Sequence, residues 1–82
     1  MKLKDLITRL SVSGRFVITG LAYSKKTKEY YSFRTIMDIS YNCYDSKSVL
    51  SELSENILEC EVKRISQYSN EVWIDIIEWI DD

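Results

Sequence analysis

The stretch Glu71-Val72-Trp73-Ile74-Asp75-Ile76-Ile77-Glu78-Trp79-Ile80 constrains the fold more than any other part of this chain. Extended, it points Val72, Ile74, Ile76 and Ile80 to one side and Trp73, Ile77 and Trp79 to the other. A strand apolar on both faces calls for cover on both. The stretch is therefore expected as the central strand on which the rest is laid. Val72, Ile76, Trp79 and Ile80 also fit a 3.6-residue period, so a terminal helix is the competing reading. The β-branched residues and two tryptophans favour strand.

Upstream, two helical faces and three further strands are legible. Leu3, Leu6, Ile7 and Leu10 fall at i, i+3, i+4 and i+7, predicting a helix over 2–11. Gly14 is placed to stop it in the left-handed conformation. Arg15–Ser24 is rich in β-branched and aromatic residues and reads as a strand, with Gly20 marking a bulge or a close approach. Lys25–Lys28 is a polar hairpin tip, and Glu29–Met37 returns as the second strand. Asp38–Ser48 reads as an irregular connection, with Asp45 or Ser46 as helix N-cap. Val49, Leu50, Leu53 and Ile57 trace a second helix over 47–58, which places Glu59 at the unfavourable end of the helix dipole. Cys60–Tyr68 is a third strand in which Val62 and Ile65 have opposite parity, so a bulge is required. Ser69-Asn70 is the turn into the last strand.

The order is α-β-β-α-β-β. It predicts a single α+β domain over 1–82, with an antiparallel sheet of about four strands and two short helices packed on it. Eighty-two residues supply one thin core. The absence of proline and the presence of only two glycines suit a compact domain with few loops.

The composition argues against catalysis. There is no histidine, which removes the commonest general base and zinc ligand. Gly14 and Gly20 are too few and too isolated for a phosphate-cradling loop. Cys43 and Cys60 lack CxxC spacing and read as buried thiols, with no base or electropositive pocket evident beside either. Asp75 and Glu78 fall on opposite faces of a strand and make no carboxylate pair. No enzyme activity, cofactor or metal is expected. No apolar run approaches the roughly 20 residues of a membrane span. A cytoplasmic protein with reduced cysteines and no membrane partner is the expectation.

Charge is unevenly spread. Residues 1–34 carry a surplus of six positive charges, and residues 35–82 a surplus of eight negative ones. Pairing of the halves across the fold explains this better than steering of a charged partner. Two binding readings remain. The hairpin 15–34 combines cations with aromatics, which makes Lys25, Lys26, Lys28 and Arg34 candidates for nucleic-acid contact. Tyrosine and serine also concentrate in the middle of the chain, a composition that binding surfaces favour. Tyr30, Tyr31, Tyr41 and Tyr44 are the leading candidates for protein contact, followed by Trp79 with Asp75 and Glu78. An acidic surface there could imitate a nucleic-acid backbone. Six tyrosines and two tryptophans exceed what a thin core hides. Aromatic exposure, in a homodimer interface among other possibilities, is expected.

The opening Met1-Lys2-Leu3-Lys4-Asp5-Leu6-Ile7, the run Leu58-Glu59-Cys60-Glu61-Val62-Lys63-Arg64-Ile65-Ser66 and the acidic, isoleucine-rich final strand resemble small accessory proteins of phages and prophages of low-GC Gram-positive bacteria. The size and helix-then-hairpin opening are similar to some anti-CRISPR inhibitors. The resemblance covers roughly a third of the chain and transfers no site residue. It implies a small non-enzymatic protein that binds and modulates a host or phage macromolecule.

Overall fold

The computed structural model describes residues 1–10, 14–41 and 46–80. It is an α+β domain of seven elements: α1 (Leu3–Ile7), β1 (Gly14–Ser24), β2 (Glu29–Tyr41), α2 (Ser46–Glu52), α3 (Glu55–Leu58), β3 (Val62–Tyr68) and β4 (Glu71–Trp79). The strands form one sheet in the order β2-β1-β4-β3, which places Glu71–Trp79 in the interior.

The sheet is mixed, not antiparallel throughout. β1 pairs antiparallel with β2, and β3 with β4, as the two hairpin signals require, but β1 and β4 run parallel. The cause lies in the connection. After β2 the chain crosses the sheet through α2 and α3 and enters β3 at the far edge. That is the kind of long connection same-direction strands need, and no tight turn could supply it.

Alternation sorts the sheet into two faces. Phe16 and Ile18 of β1 stand beside Val72 and Ile74 of β4, all essentially buried. With Met37 and Ile76 they meet Leu3, Leu6 and Ile7 of α1 and Val49 of α2 in one core. Leu50, Leu53, Ile57 and Val62 pack around it. The other face carries Arg15, Val17, Thr19, Leu21 and Tyr23 of β1 beside Glu71, Trp73, Asp75, Ile77 and Trp79 of β4. None of Val17, Leu21, Trp73 and Ile77 belongs to the core cluster. The cover expected on both faces of the last strand is present on one; among the described residues, the second face is roofed by its own side chains. Val17 is 2 % exposed because its neighbours Trp73 and Asp38 are tied together above it by Arg15. The Arg15 guanidinium sits 5.0 Å from the Trp73 ring and donates to Asp38 at 2.6 and 2.8 Å.

Several boundaries differ from expectation, each for a local reason. The first helix spans only Leu3–Ile7: Lys2 is extended and forms a bridge to Glu61, and at the other end Thr8 is the C-cap, its hydroxyl donating to Asp5 C=O. Leu3 N–H donates to Cys60 C=O, and Val62 N–H to Met1 C=O, so the first residues line the edge of β3. Gly14 does not stop that helix. It opens β1 with φ of 103°, and Arg15 N–H donates to Asn70 C=O at 2.8 Å. The helix expected over 47–58 is two helices, because Ser54 is extended and its side chain accepts from Ile57 N–H. A competing side-chain acceptor of this kind ends one helix and caps the next. The apolar face survives the break. Residues 38–41 extend β2, where an irregular connection was expected. Asp45 as an N-cap falls outside the described residues. The bulge demanded by Val62 and Ile65 is present between Val62 and Arg64, which brings both apolar residues to the helix side.

Candidate interaction surface

Position along the strands divides the second face into two ends. At the hairpin end, the β1–β2 pair brings Tyr23 opposite Tyr30, with ring centroids 4.7 Å apart. The β1–β4 pair brings Tyr23 beside Trp79 in an edge contact of 5.3 Å. Two lysines lie over these rings. Lys25 Nζ is 4.5 Å from the Trp79 centroid, and Lys63 Nζ is 5.1 Å from that of Tyr30. Phe33 follows on β2 opposite Leu21 and is 77 % exposed, far more than an aromatic residue ordinarily shows. The result is an aromatic corner with a basic fringe. Lys25 reaches it from the hairpin tip, whose Lys28 has φ of 59° and donates its N–H to Ser24 C=O.

The sequence candidates are thus partly brought together and partly separated. Tyr30 and Trp79 join the corner, 47 % and 41 % exposed. Tyr31 is 56 % exposed and sits at a register shift of β2, its hydroxyl 2.9 Å from Thr27 Oγ1. Tyr41 lies at the other end of β2 opposite Gly14. Eleven residues of extended chain put it roughly 36 Å from Tyr30, so the two cannot share one patch. Tyr44 falls outside the described residues.

Three of the charged candidates, Arg34, Asp75 and Glu78, are engaged in ion pairs. Arg34 Nε and Nη2 donate to Glu78 Oε1 and Oε2 at 2.9 and 2.7 Å, on the helix side of the sheet. This pair joins β2 to β4 across β1 and passes over Gly20, where a Cβ would collide with the Glu78 carboxylate and the Ile36 side chain. Asp75 accepts two bonds from Arg64 at 2.9 and 3.1 Å on the opposite face. The proposed nucleic-acid contact Arg34 and the proposed acidic contacts Asp75 and Glu78 are therefore all in ion pairs. Among the described residues, most ion pairs join the basic N-terminal part to the acidic remainder: Arg15 to Asp38 and Glu71, Lys2 and Lys4 to Glu59, and Arg34 to Glu78. The polarity of the sequence is spent largely inside the fold.

Lys63 and Trp73 were not among the site candidates read from the sequence, although the alternation of the last strand placed Trp73 on the same side as Trp79. Lys63 is 33 positions from Tyr30 in the chain, and only the β3 bulge and the strand order bring them together. The parity conflict at Val62 and Ile65 was the signal that pointed to it. Between α3 and the end of β4, Asn56, Ile57, Cys60, Glu78 and Trp79 line an open depression of about 410 Å³. Burial first, and the Glu78 charge second, push the Cys60 thiol above its ordinary value, which makes it a poor nucleophile. Among the described residues no three histidine, cysteine, aspartate or glutamate side chains converge as metal ligands. No described helix is long and apolar enough to cross a membrane. Comparison with known proteins finds no matching family model, no matching curated protein and no matching solved structure.

Proposed function

We propose that this chain is a small non-enzymatic binding module that docks on a protein through the aromatic corner of its uncovered sheet face and alters that protein's activity. The sequence resemblance implies a phage-encoded modulator of a host macromolecule, of the anti-CRISPR kind, acting in the cytoplasm. The observation that carries the reading is the exposure of Tyr30, Phe33 and Trp79 around Tyr23 on a sheet face that no described helix covers. Large rigid aromatics inside a polar fringe are the usual anchor of a protein interface.

The corner also supports a second reading. Lys25 and Lys63 beside stackable rings are what single-stranded nucleic acid requires. Against it, both lysines already lie over ring faces that bases would need, and the chain is acidic overall, with a pI of about 5.1. Tagged wild-type protein and folded Tyr30→Ala and Trp79→Ala variants, presented to nuclease-treated host lysate, separate the readings. Capture of one protein by wild type, lost in both variants, supports the docking surface. Equal capture by all three sinks it. Capture that vanishes with nuclease, falls steeply with salt and is lost on neutralising Lys25, Lys26 and Lys28 moves the function to nucleic acid.

A further inference from the structure

We infer that the end of β4 is a docking notch for an extended peptide segment of a partner protein, which joins the sheet there by backbone hydrogen bonds to Trp79. This rests on the reading of the chain as a protein-binding module and names the form in which the partner enters. The sheet reaches further on one side of β4 than on the other. β1 accompanies β4 as far as Trp79, and Ile80 N–H still donates to Tyr23 C=O at 3.1 Å. On the other side β3 begins at Val62, opposite Ile76, and the last bond across runs from Ile77 N–H to Glu61 C=O at 3.0 Å. Backbone groups of successive strand residues point to opposite edges. Ile77 faces β3 and Ile80 faces β1, so Trp79 presents its N–H and C=O on the β3 side. Among the described residues neither group meets a hydrogen-bond partner. The crossover is the cause. Continuing the pairing of Glu61 with Ile77 would set Glu59 opposite Trp79. Instead Glu59 N–H donates to Glu55 C=O and Cys60 N–H to Ile57 C=O, at the end of α3. The gap left beside Trp79 is the depression lined by Asn56, Ile57, Cys60 and Glu78.

A donor and an acceptor side by side on one strand residue are the complement of one residue of another extended backbone, which exchanges both bonds with it. That selects a peptide strand as the occupant. Running in line with β3, the segment lies antiparallel to β4. Its residue opposite Trp79 then shares the open face with the indole, next to the aromatic corner. The residues on either side point to the helix side, beside Ile57 and Cys60, which suits β-branched apolar side chains. The outer edges of the sheet are poorer sites. β2 carries register shifts at Ile18/Thr19 and Ala22/Tyr23, which interrupt the regular ladder that edge pairing needs. The beginning of β3 is already lined by the first residues, Val62 N–H donating to Met1 C=O.

Heptapeptides selected from a displayed random library for binding to the full chain are the probe. In the free protein the Trp79 amide hydrogen is expected to exchange faster than those of Ile77 and Ile80, and saturating peptide to slow it at least about tenfold. Cys60 allows residues 60–82 to be synthesised and ligated to 1–59, so the full chain can carry N-methyltryptophan at position 79. That change keeps the indole and the carbonyl and removes only the N–H. It is expected to leave the urea midpoint near wild type, since the methyl group points into an open depression, and to weaken peptide binding about tenfold. The same methylation at Ile77, whose N–H is bonded, should lower the midpoint. A Trp79 amide already protected in the free chain overturns the inference. So does a library that yields no binder, or peptides that bind the N-methyl and wild-type chains equally. Capture of a protein lost in Tyr30→Ala, with peptides that ignore Trp79 N–H, would remove this inference alone. Peptides seated on Trp79 N–H, with no protein captured from lysate, would remove the aromatic docking reading alone.

Discussion

Gly14 and Gly20 are the positions where one methyl group would be felt most, for different reasons. Gly14 holds φ of 103°, and an added Cβ would run into the backbone carbonyl of Asn70, which cannot move without breaking the bond from Arg15 N–H. At Gly20 the obstacles are the end of Glu78, which can swing, and Ile36 Cδ1, which is packed. Gly14→Ala is therefore expected to cost more, about 2–4 kcal/mol, than Gly20→Ala at about 1–2 kcal/mol. Urea unfolding of the two variants checks the order, and a reversal would mean that Glu78 is held more rigidly than the Asn70 turn. The sequence marked both glycines as special but gave Gly14 the wrong task. Its partner Asn70 is distant in the chain and invisible to local pattern.

Among the elements, the α2–α3 crossover is the one most dependent on a single side chain. Four residues from Glu55 to Leu58 cannot sustain a helix alone. Ser54 caps them, and Ile57 and Leu58 pack against the core. The cap bond is long, at 3.4 Å, so Ser54→Ala is expected to cost at the lower end of the usual range, about 0.5–1 kcal/mol. Amide exchange resolves it: protection should fall at Ile57, Leu58 and Glu59 first, and an unchanged α3 would show that packing alone holds it. The spacing of Val49, Leu50, Leu53 and Ile57 revealed the buried face of this crossover. It could not reveal the break at Ser54, because a serine inside a helical period reads equally as interior or cap until the chain direction around it is known.

Over the whole molecule, pairing between the basic beginning and the acidic remainder gives stability a predictable acid limb. Lys2 and Lys4 hold the Glu59 carboxyl down at about 2. This also answers the poor placement of Glu59 at a helix end, since the lysines supply the cations that the helix terminus wants. The Arg15 guanidinium lowers Asp38 in the same direction. A carboxylate with a depressed folded value contributes stability that is complete above its ordinary value of 4.5 and is lost as pH falls through about 2. Glu59→Gln should accordingly lower the melting temperature near neutral pH and flatten its decline between those two values. A decline identical to wild type would mean that other carboxylates set the acid limb.

Local pattern determined the strands, the two hairpins, the bulge in β3 and the apolar faces of the helices, because each depends on neighbours within a few residues. The opposite net charges of the two halves raised the expectation that they would pair, and the ion pairs of Lys2, Lys4, Arg15 and Arg34 meet it. Tertiary structure decided the rest. The parallel union of β1 and β4 follows from where the crossover lands, and no period along the chain encodes it. The strand order in turn sets Tyr23, Tyr30, Trp79, Lys25 and Lys63 in one corner while sending Tyr41 to the other end of the sheet. The hydrophobicity of Glu71–Ile80 called for cover on both faces. Only packing in three dimensions determined that the helices lie on one and leave Trp73, Ile77 and Trp79 on the other.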